Sequence, residues 1–252
     1  MSRTPSPTPL PPAAPDATTN LTAAPAHVAF RSLVTRFAFT APQSPGLAKR
    51  KRTPSPPRTR KDPSKPVADL LASNLRILFI GFNPGTRSAA TGHHYAHGGN
   101  LFWKCMSESG LTGGEVVTYK DDERCVNDFS FGFTNIISRS TPSSSDLSAA
   151  EYAAGCLPLC KILDECTPRV ACFVGIAVWE AFRAHMLKQE GKKVVKEKTE
   201  VGLQPWAYGD TKLFVVPSTS GRVVGWTRAA RVKLFADLKK ILDDLEAADM
   251  AD

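Results

Sequence analysis

No stretch of this 252-residue chain approaches the roughly 18 consecutive apolar residues of a membrane-spanning helix, which argues against a membrane partner. The N-terminus has no apolar core segment of the kind a secretory signal carries, so no export is expected. Cysteine is sparse: six are spread over the chain, and without a secretory signal they are expected to be reduced thiols. Neither Gly-Lys-Ser/Thr nor Gly-x-Gly-x-x-Gly follows the first strand-like run, which counts against a nucleotide-binding enzyme that uses the glycine-rich turn for phosphate. His93, His94 and His97 have no Glu or Cys beside them at ligand spacing, and two of them are adjacent, a poor geometry for one metal. There is no internal repeat.

The first 66 residues lack two things a core needs. Their only aromatics are Phe30, Phe37 and Phe39, yet they hold 14 of the 20 prolines. Such a segment buries too little apolar surface to offset its ordering entropy and is expected to be disordered. It also lacks acid, with 11 Lys/Arg against 2 Asp/Glu, whereas residues 67–252 carry 21 against 22. The basic character of the chain therefore belongs to residues 1–66. Eight of those basic residues fall between Lys49 and Lys65, beginning Lys49-Arg50-Lys51-Arg52. This pattern suits a nuclear-import signal and a phosphate-binding arm, with a solvated linker as the plainer alternative. Thr53-Pro54 and Ser55-Pro56 beside it have the form of proline-directed phosphorylation sites, which would lower that charge.

Residues 67–248 are expected to form one domain. Leu75–Ile80, Arg169–Val174 and Lys212–Val216 are short, mostly apolar runs that end at Gly or Pro and predict buried strands, with a shorter one near Phe131–Thr134. Between them lie helical patterns: Tyr152, Cys156, Leu159, Cys160 and Leu163; Ile176 to Met186; and the closing stripe Leu234, Phe235, Leu238, Ile241, Leu242 and Leu245. Alternating strands and helices predict an α/β three-layer sandwich with a short, mainly parallel central sheet. Ligands in such sheets sit at the carboxyl ends of the strands. Cys156, Cys160, Cys166 and Cys172 fall on these apolar patterns and predict core thiols rather than an iron–sulfur cluster.

Four segments could carry chemistry. Gly81-Phe82-Asn83-Pro84-Gly85 is a rigid turn after a strand, and the Asn83 amide oxygen could hold a water in line for attack. Thr91 to Lys104 offers Tyr95 for stacking on a planar base, while Asn100 also suits the start of an apolar helix. Asn135, at a strand end, could pair with a pyrimidine edge through its donor and acceptor. Pro217-Ser218-Thr219-Ser220-Gly221-Arg222 combines hydroxyls suited to phosphate with an arginine that could enter a duplex stack. Taken singly, each is also an ordinary turn or loop.

In this order the segments resemble the mismatch-specific uracil/thymine-DNA glycosylases of the uracil-DNA glycosylase superfamily, from about Ile77 to Leu245. The matching motifs are Gly81–Gly85, Gly92-His93-His94-Tyr95, Gly99–Cys105, Gly132–Asn135 with Gly202–Pro205, and Val216–Arg222. The resemblance implies a monomeric, base-flipping hydrolase of the N-glycosidic bond, without metal or cofactor, acting in the nucleus on double-stranded DNA with G·U or G·T mismatches. It implies Asn83 as the residue that positions the attacking water and Thr141 as one that helps hold that water. His94, Tyr95, Asn100, Asn135 and Ser88 would form the base pocket. Ser218 and Ser220 would contact DNA, with Arg222 as the wedge that fills the gap left by the flipped nucleotide.

Three positions depart from the family pattern. Phe82 replaces an aliphatic residue, and Ser88 stands where the thymine-active branch carries Ala, facing the 5-position of the base; both weigh against thymine. Gly221 for Ala is expected to loosen the wedge loop. The alternative is a catalytically weak DNA-binding adaptor on the same fold, against which an intact Asn83, Asn135 and Arg222 argue.

Overall fold

A computed structural model describes residues 66–195 and 198–250 of the chain. The basic Pro-rich segment, with Lys49–Arg52, lies outside the described residues except for Pro66. Among the described residues, no helix is long and apolar enough to cross a membrane.

The sheet has five strands: β1 (Ile77–Gly81), β2 (Phe131–Asn135), β3 (Val170–Val174), β4 (Gly202–Tyr208) and β5 (Thr211–Val216). Their order is β2-β1-β3-β5-β4. The first four in that order run parallel, and β4 is antiparallel to β5 at the edge, with a bulge between Leu203 and Ala207. Among the described residues, six α-helices surround the sheet: α1 (Thr86–Thr91), α2 (Phe102–Glu108), α3 (Asp122–Phe129), α4 (Ala149–Cys166), α5 (Ile176–Gln189) and α6 (Arg228–Asp249).

Side chains alternate between the two faces of a strand. Ile77 and Phe79 of β1 join one buried cluster with Phe102 of α2 and Phe235 of α6. Leu78 and Ile80 join a second cluster with Leu159 and Leu163 of α4 and Phe182 of α5. Both faces are covered, so the interior strands carry uninterrupted apolar runs. The expected three-layer α/β sandwich is the observed fold. Phe79 anchors the first layer, with Phe102, Phe131, Phe133 and Phe235 rings all within 6.2 Å of its own. Five of the cysteines are buried and Cys160 is half-buried; burial pushes the Cys105 and Cys156 thiols up to about 11. Such thiols are poor nucleophiles and serve as core volume.

The three long apolar runs and the short one are β1, β3, β5 and β2, each within two residues of the expected bounds. Edge strand β4 was not anticipated: its residues alternate between half-buried and exposed, and Gly202 and Pro205 interrupt it. Asn100 is not the first cap of α2, a place taken by Leu101, but its Oδ1 accepts from Phe102 N–H at 3.0 Å and so still satisfies the helix start.

Candidate active site

The carboxyl ends of β1 and β2 are in register at Gly81 and Asn135, and those of β3 and β5 at Val174 and Val216. Strand order reverses about β1, which has β2 on one side and β3 on the other, and such a switch point opens a crevice. A cavity of about 520 Å³ occupies it, within the range of small-ligand sites. All ten residues singled out above line this cavity: Asn83, Ser88, His94, Tyr95, Asn100, Asn135, Thr141, Ser218, Ser220 and Arg222.

Asn83 sits in the turn after β1. Its Nδ2 donates to the Arg139 carbonyl at 2.9 Å and to the Thr141 hydroxyl at 2.8 Å. A carbonyl can only accept, so this fixes which amide atom is nitrogen. Both N–H groups are used, and Oδ1 is the atom left for a ligand. Thr141, 4 % exposed, donates its own hydroxyl proton to the Ser143 carbonyl at 2.7 Å, and its N–H to Pro84. With that donor committed and one lone pair taken by Asn83, Thr141 braces the Asn83 amide and keeps one acceptor lone pair. The Arg139 carbonyl is held in turn. Its side chain pairs with Glu151 and donates to the Asp146 carbonyl, and Glu151 closes the capping box that starts α4. The turn is thus braced from the start of a long helix.

Also lining the cavity, Tyr95 has a left-handed φ of 52°, and its ring stacks on Phe102 with centroids 4.0 Å apart. Its hydroxyl is buried with no partner among the described residues, and burial raises its pKa well above the usual range. His94, 2 % exposed, donates from Nε2 to the Ala68 carbonyl, and burial holds its pKa below the usual value. It is therefore neutral, with Nδ1 as its remaining acceptor. Asn135 lies against Gly81 so closely that a Cβ there would meet its Oδ1 at 2.6 Å. Ser88 Oγ accepts from Ala96 N–H at 3.1 Å, so its hydroxyl is not an unpartnered group facing the cavity.

Ser218 and Ser220 each accept from a backbone N–H two residues on, which folds the loop into successive turns. Arg222 reaches from the tip of this loop to the Pro142 carbonyl, bridging the cavity mouth. The expectation that Gly221 loosens the loop does not hold. A Cβ at 221 would lie 2.5 Å from the Gly99 carbonyl, so glycine there permits a close backbone contact. Phe82 makes a similar demand: its ring fills the space where a Cβ on Gly175 would stand, 2.0 Å away.

Three groups escaped the sequence reading. Val67 lines the cavity although it directly follows the Pro-rich segment. Asp122, 1 % exposed, accepts from His94 N–H at 2.8 Å and lies 2.8 Å from His93 Nδ1, orienting the His-His-Tyr turn. Nothing in the intervening 27 residues signals that contact. Arg231 is buried in the first turn of α6, and a signal for it existed: it shares the helical stripe of Phe235, Leu238 and Leu242, where a cation is out of place.

Comparison with known proteins identifies the family. Residues 68–246 match the family model described as the uracil DNA glycosylase superfamily. A curated relative from Schizosaccharomyces pombe, named a G/U mismatch-specific uracil DNA glycosylase, is 31 % identical over 171 residues, 67 % of this chain and 51 % of its own. The chain thus spans about half the length of that relative. A solution NMR structure of a candidate uracil DNA glycosylase from Methanosarcina acetivorans aligns with a TM-score of 0.43 at 20 % identity, covering 70 % of this chain and 98 % of that one.

Proposed function

Since the chain belongs to the uracil DNA glycosylase superfamily, we propose that it excises uracil from G·U mismatches in duplex DNA by flipping the base into the cavity and hydrolysing its glycosidic bond. The observation that carries this reading is the Asn83 amide, whose two N–H groups are claimed by Arg139 and Thr141 so that Oδ1 is held ready for a water. The water oxygen bonds to C1′, and the proton it sheds passes to bulk water. The C1′–N bond breaks, and the base leaves with its electron pair. Asn83 is an amide and no base, so it positions the water without deprotonating it. No Asp or Glu is among the described residues lining the cavity, and turnover is correspondingly slow. The neutral donor of Asn135 stabilises the departing anionic base, and Tyr95 stacks on it. Slow chemistry leaves selectivity to the ease of flipping, which favours mismatched bases. Arg222 enters the stack opposite the widowed guanine, and the serines of its loop contact the phosphates. The test is incubation of the full chain with labelled duplexes carrying U or T opposite G, followed by alkaline cleavage at abasic sites. Strand scission at U·G supports the reading. Intact strands with mismatch binding would support the adaptor instead.

Thymine is the weaker substrate in this proposal. Ser88 is buried in the pocket wall, and its hydroxyl takes up the space that thymine's methyl group needs. Because the hydroxyl is bonded to Ala96, the discrimination is steric rather than a matter of lost hydration. Ser88→Ala will raise the G·T to G·U ratio of single-turnover rates by about tenfold, at some cost in stability from the abandoned Ala96 N–H. An unchanged ratio would show that Ser88 does not gate the pocket.

Residues 1–66 would add non-specific binding to phosphate, since they hold the net positive charge. Their removal will leave G·U excision intact and flatten the salt dependence of DNA binding, by roughly 0.9 in log–log slope for each phosphate no longer neutralised. An equal slope for both proteins would refute the arm. Nuclear import through Lys49–Arg52 can be followed with a fluorescent fusion lacking those four residues.

A further inference from the structure

Arg231 breaks two rules. It is 3 % exposed, yet among the described residues it faces no carboxylate, and it stands in the first turn of α6, where the helix dipole disfavours a cation. Its guanidinium is satisfied by the backbone of a single loop. Nε donates to the Ser218 carbonyl at 3.1 Å, Nη2 to Val223 at 3.1 Å and Nη1 to Trp226 at 2.5 Å. These carbonyls belong to the entry, apex and exit of the loop whose tip is Arg222. One planar fork therefore fixes three points along it, as a flexible ammonium could not. Outside this fork, the loop is held to its surroundings by Leu101 N–H on the Thr219 carbonyl, by the contact of Gly221 with Gly99 and by Arg222 on the Pro142 carbonyl, and within itself by the turns closed on Ser218 and Ser220. At its apex it presents Arg222, Val223 and Val224, the last 89 % exposed.

We propose that Arg231 is a positioning residue for base extraction: it preforms the loop that enters the duplex, so that no ordering cost falls due when the loop meets the base stack. This rests on the function proposed above. A single-stranded substrate needs little unstacking and should be indifferent to the shape of the loop.

Two measurements on the full chain test this in Arg231→Lys and Arg231→Met, with thermal melting to verify folding. In DNA-free protein, amide exchange over residues 218–226 is expected to accelerate by about tenfold or more, with β1 and β3 unchanged. Uracil excision from the G·U duplex is expected to fall by about tenfold or more, with single-stranded uracil little affected and Arg222→Ala giving the same asymmetry. Unchanged loop exchange in both variants would overturn the tether. Loosened loops with equal losses on both DNA forms would overturn its role in extraction. If the wild-type chain releases uracil from neither substrate, the functional reading fails, and the exchange data still decide whether Arg231 holds the loop.

Discussion

Asn83→Ala will lower uracil release by about a hundredfold or more while leaving affinity for a G·U duplex nearly unchanged. The size of the effect follows from how much of the site converges on this amide. Arg139 and Thr141 fix its nitrogen, and each is fixed by a further bond: Arg139 through Glu151 at the start of α4, Thr141 through Ser143. Alanine removes the acceptor for the attacking water and leaves the Arg139 carbonyl and Thr141 hydroxyl without their donor. Because the described residues of the cavity lining include no carboxylate, no anionic side chain there can take over the water. Binding should persist, since stacking on Tyr95, the Asn135 amide and the Arg222 loop are untouched. Single-turnover excision and equilibrium binding to the same duplex check both halves. Wild-type rates in the variant would remove Asn83 from the chemistry altogether.

Gly81→Ala is expected to be nearly as damaging to excision, by about a hundredfold, through displacement rather than deletion. A Cβ at this strand end would lie 2.6 Å from Asn135 Oδ1 and 3.0 Å from the Tyr95 hydroxyl. Both atoms are side-chain ends, and Gly81 is not among the residues with positive φ. The fold can therefore yield, and the melting temperature should drop by no more than about 4 °C. The site cannot yield, because Asn135 must swing away from the base edge it is proposed to read. Unlike Asn83→Ala, this change should weaken binding to the mismatch as well as the rate. Normal excision by a well-folded Gly81→Ala protein would mean that Asn135 does not need its present position.

Much of the fold was legible because β1, β3 and β5 are buried on both faces, and a strand covered twice is apolar without interruption. The edge strand β4 was hidden by the opposite circumstance: one face meets solvent, and Gly202 and Pro205 look like turn residues. The individual site residues were legible mainly in combination. Asn83, Tyr95, Asn135 and Arg222 each suit an ordinary turn, and only their order along the chain resembled a known family. What remained invisible was the bracing. Asp122 reaches His94 across a stretch with no periodic link, and the bond from Thr141 to Ser143, which steadies the hydroxyl that supports Asn83, depends on a hydroxyl rotamer. Gly221 misleads for a related reason. Glycine reads as freedom in a sequence, but here it marks a place where two backbones touch.

The packing of Phe82 on Gly175 constrains the order in which substitutions could have been acquired. The phenyl ring occupies the volume of any Cβ at 175, and Gly175 itself has a φ of 136° that side-chain-bearing residues rarely adopt. An aromatic residue in the turn beside Asn83 is therefore admissible only on a background that already has glycine at the end of β3. With the ring in place the glycine has a second reason to stay, beyond the φ that already demands it. A pair of positions 93 residues apart is thereby linked in one direction: the turn next to the proposed water-holding amide can carry its bulky residue only while glycine stands at 175, whereas the backbone would keep that glycine even without the ring.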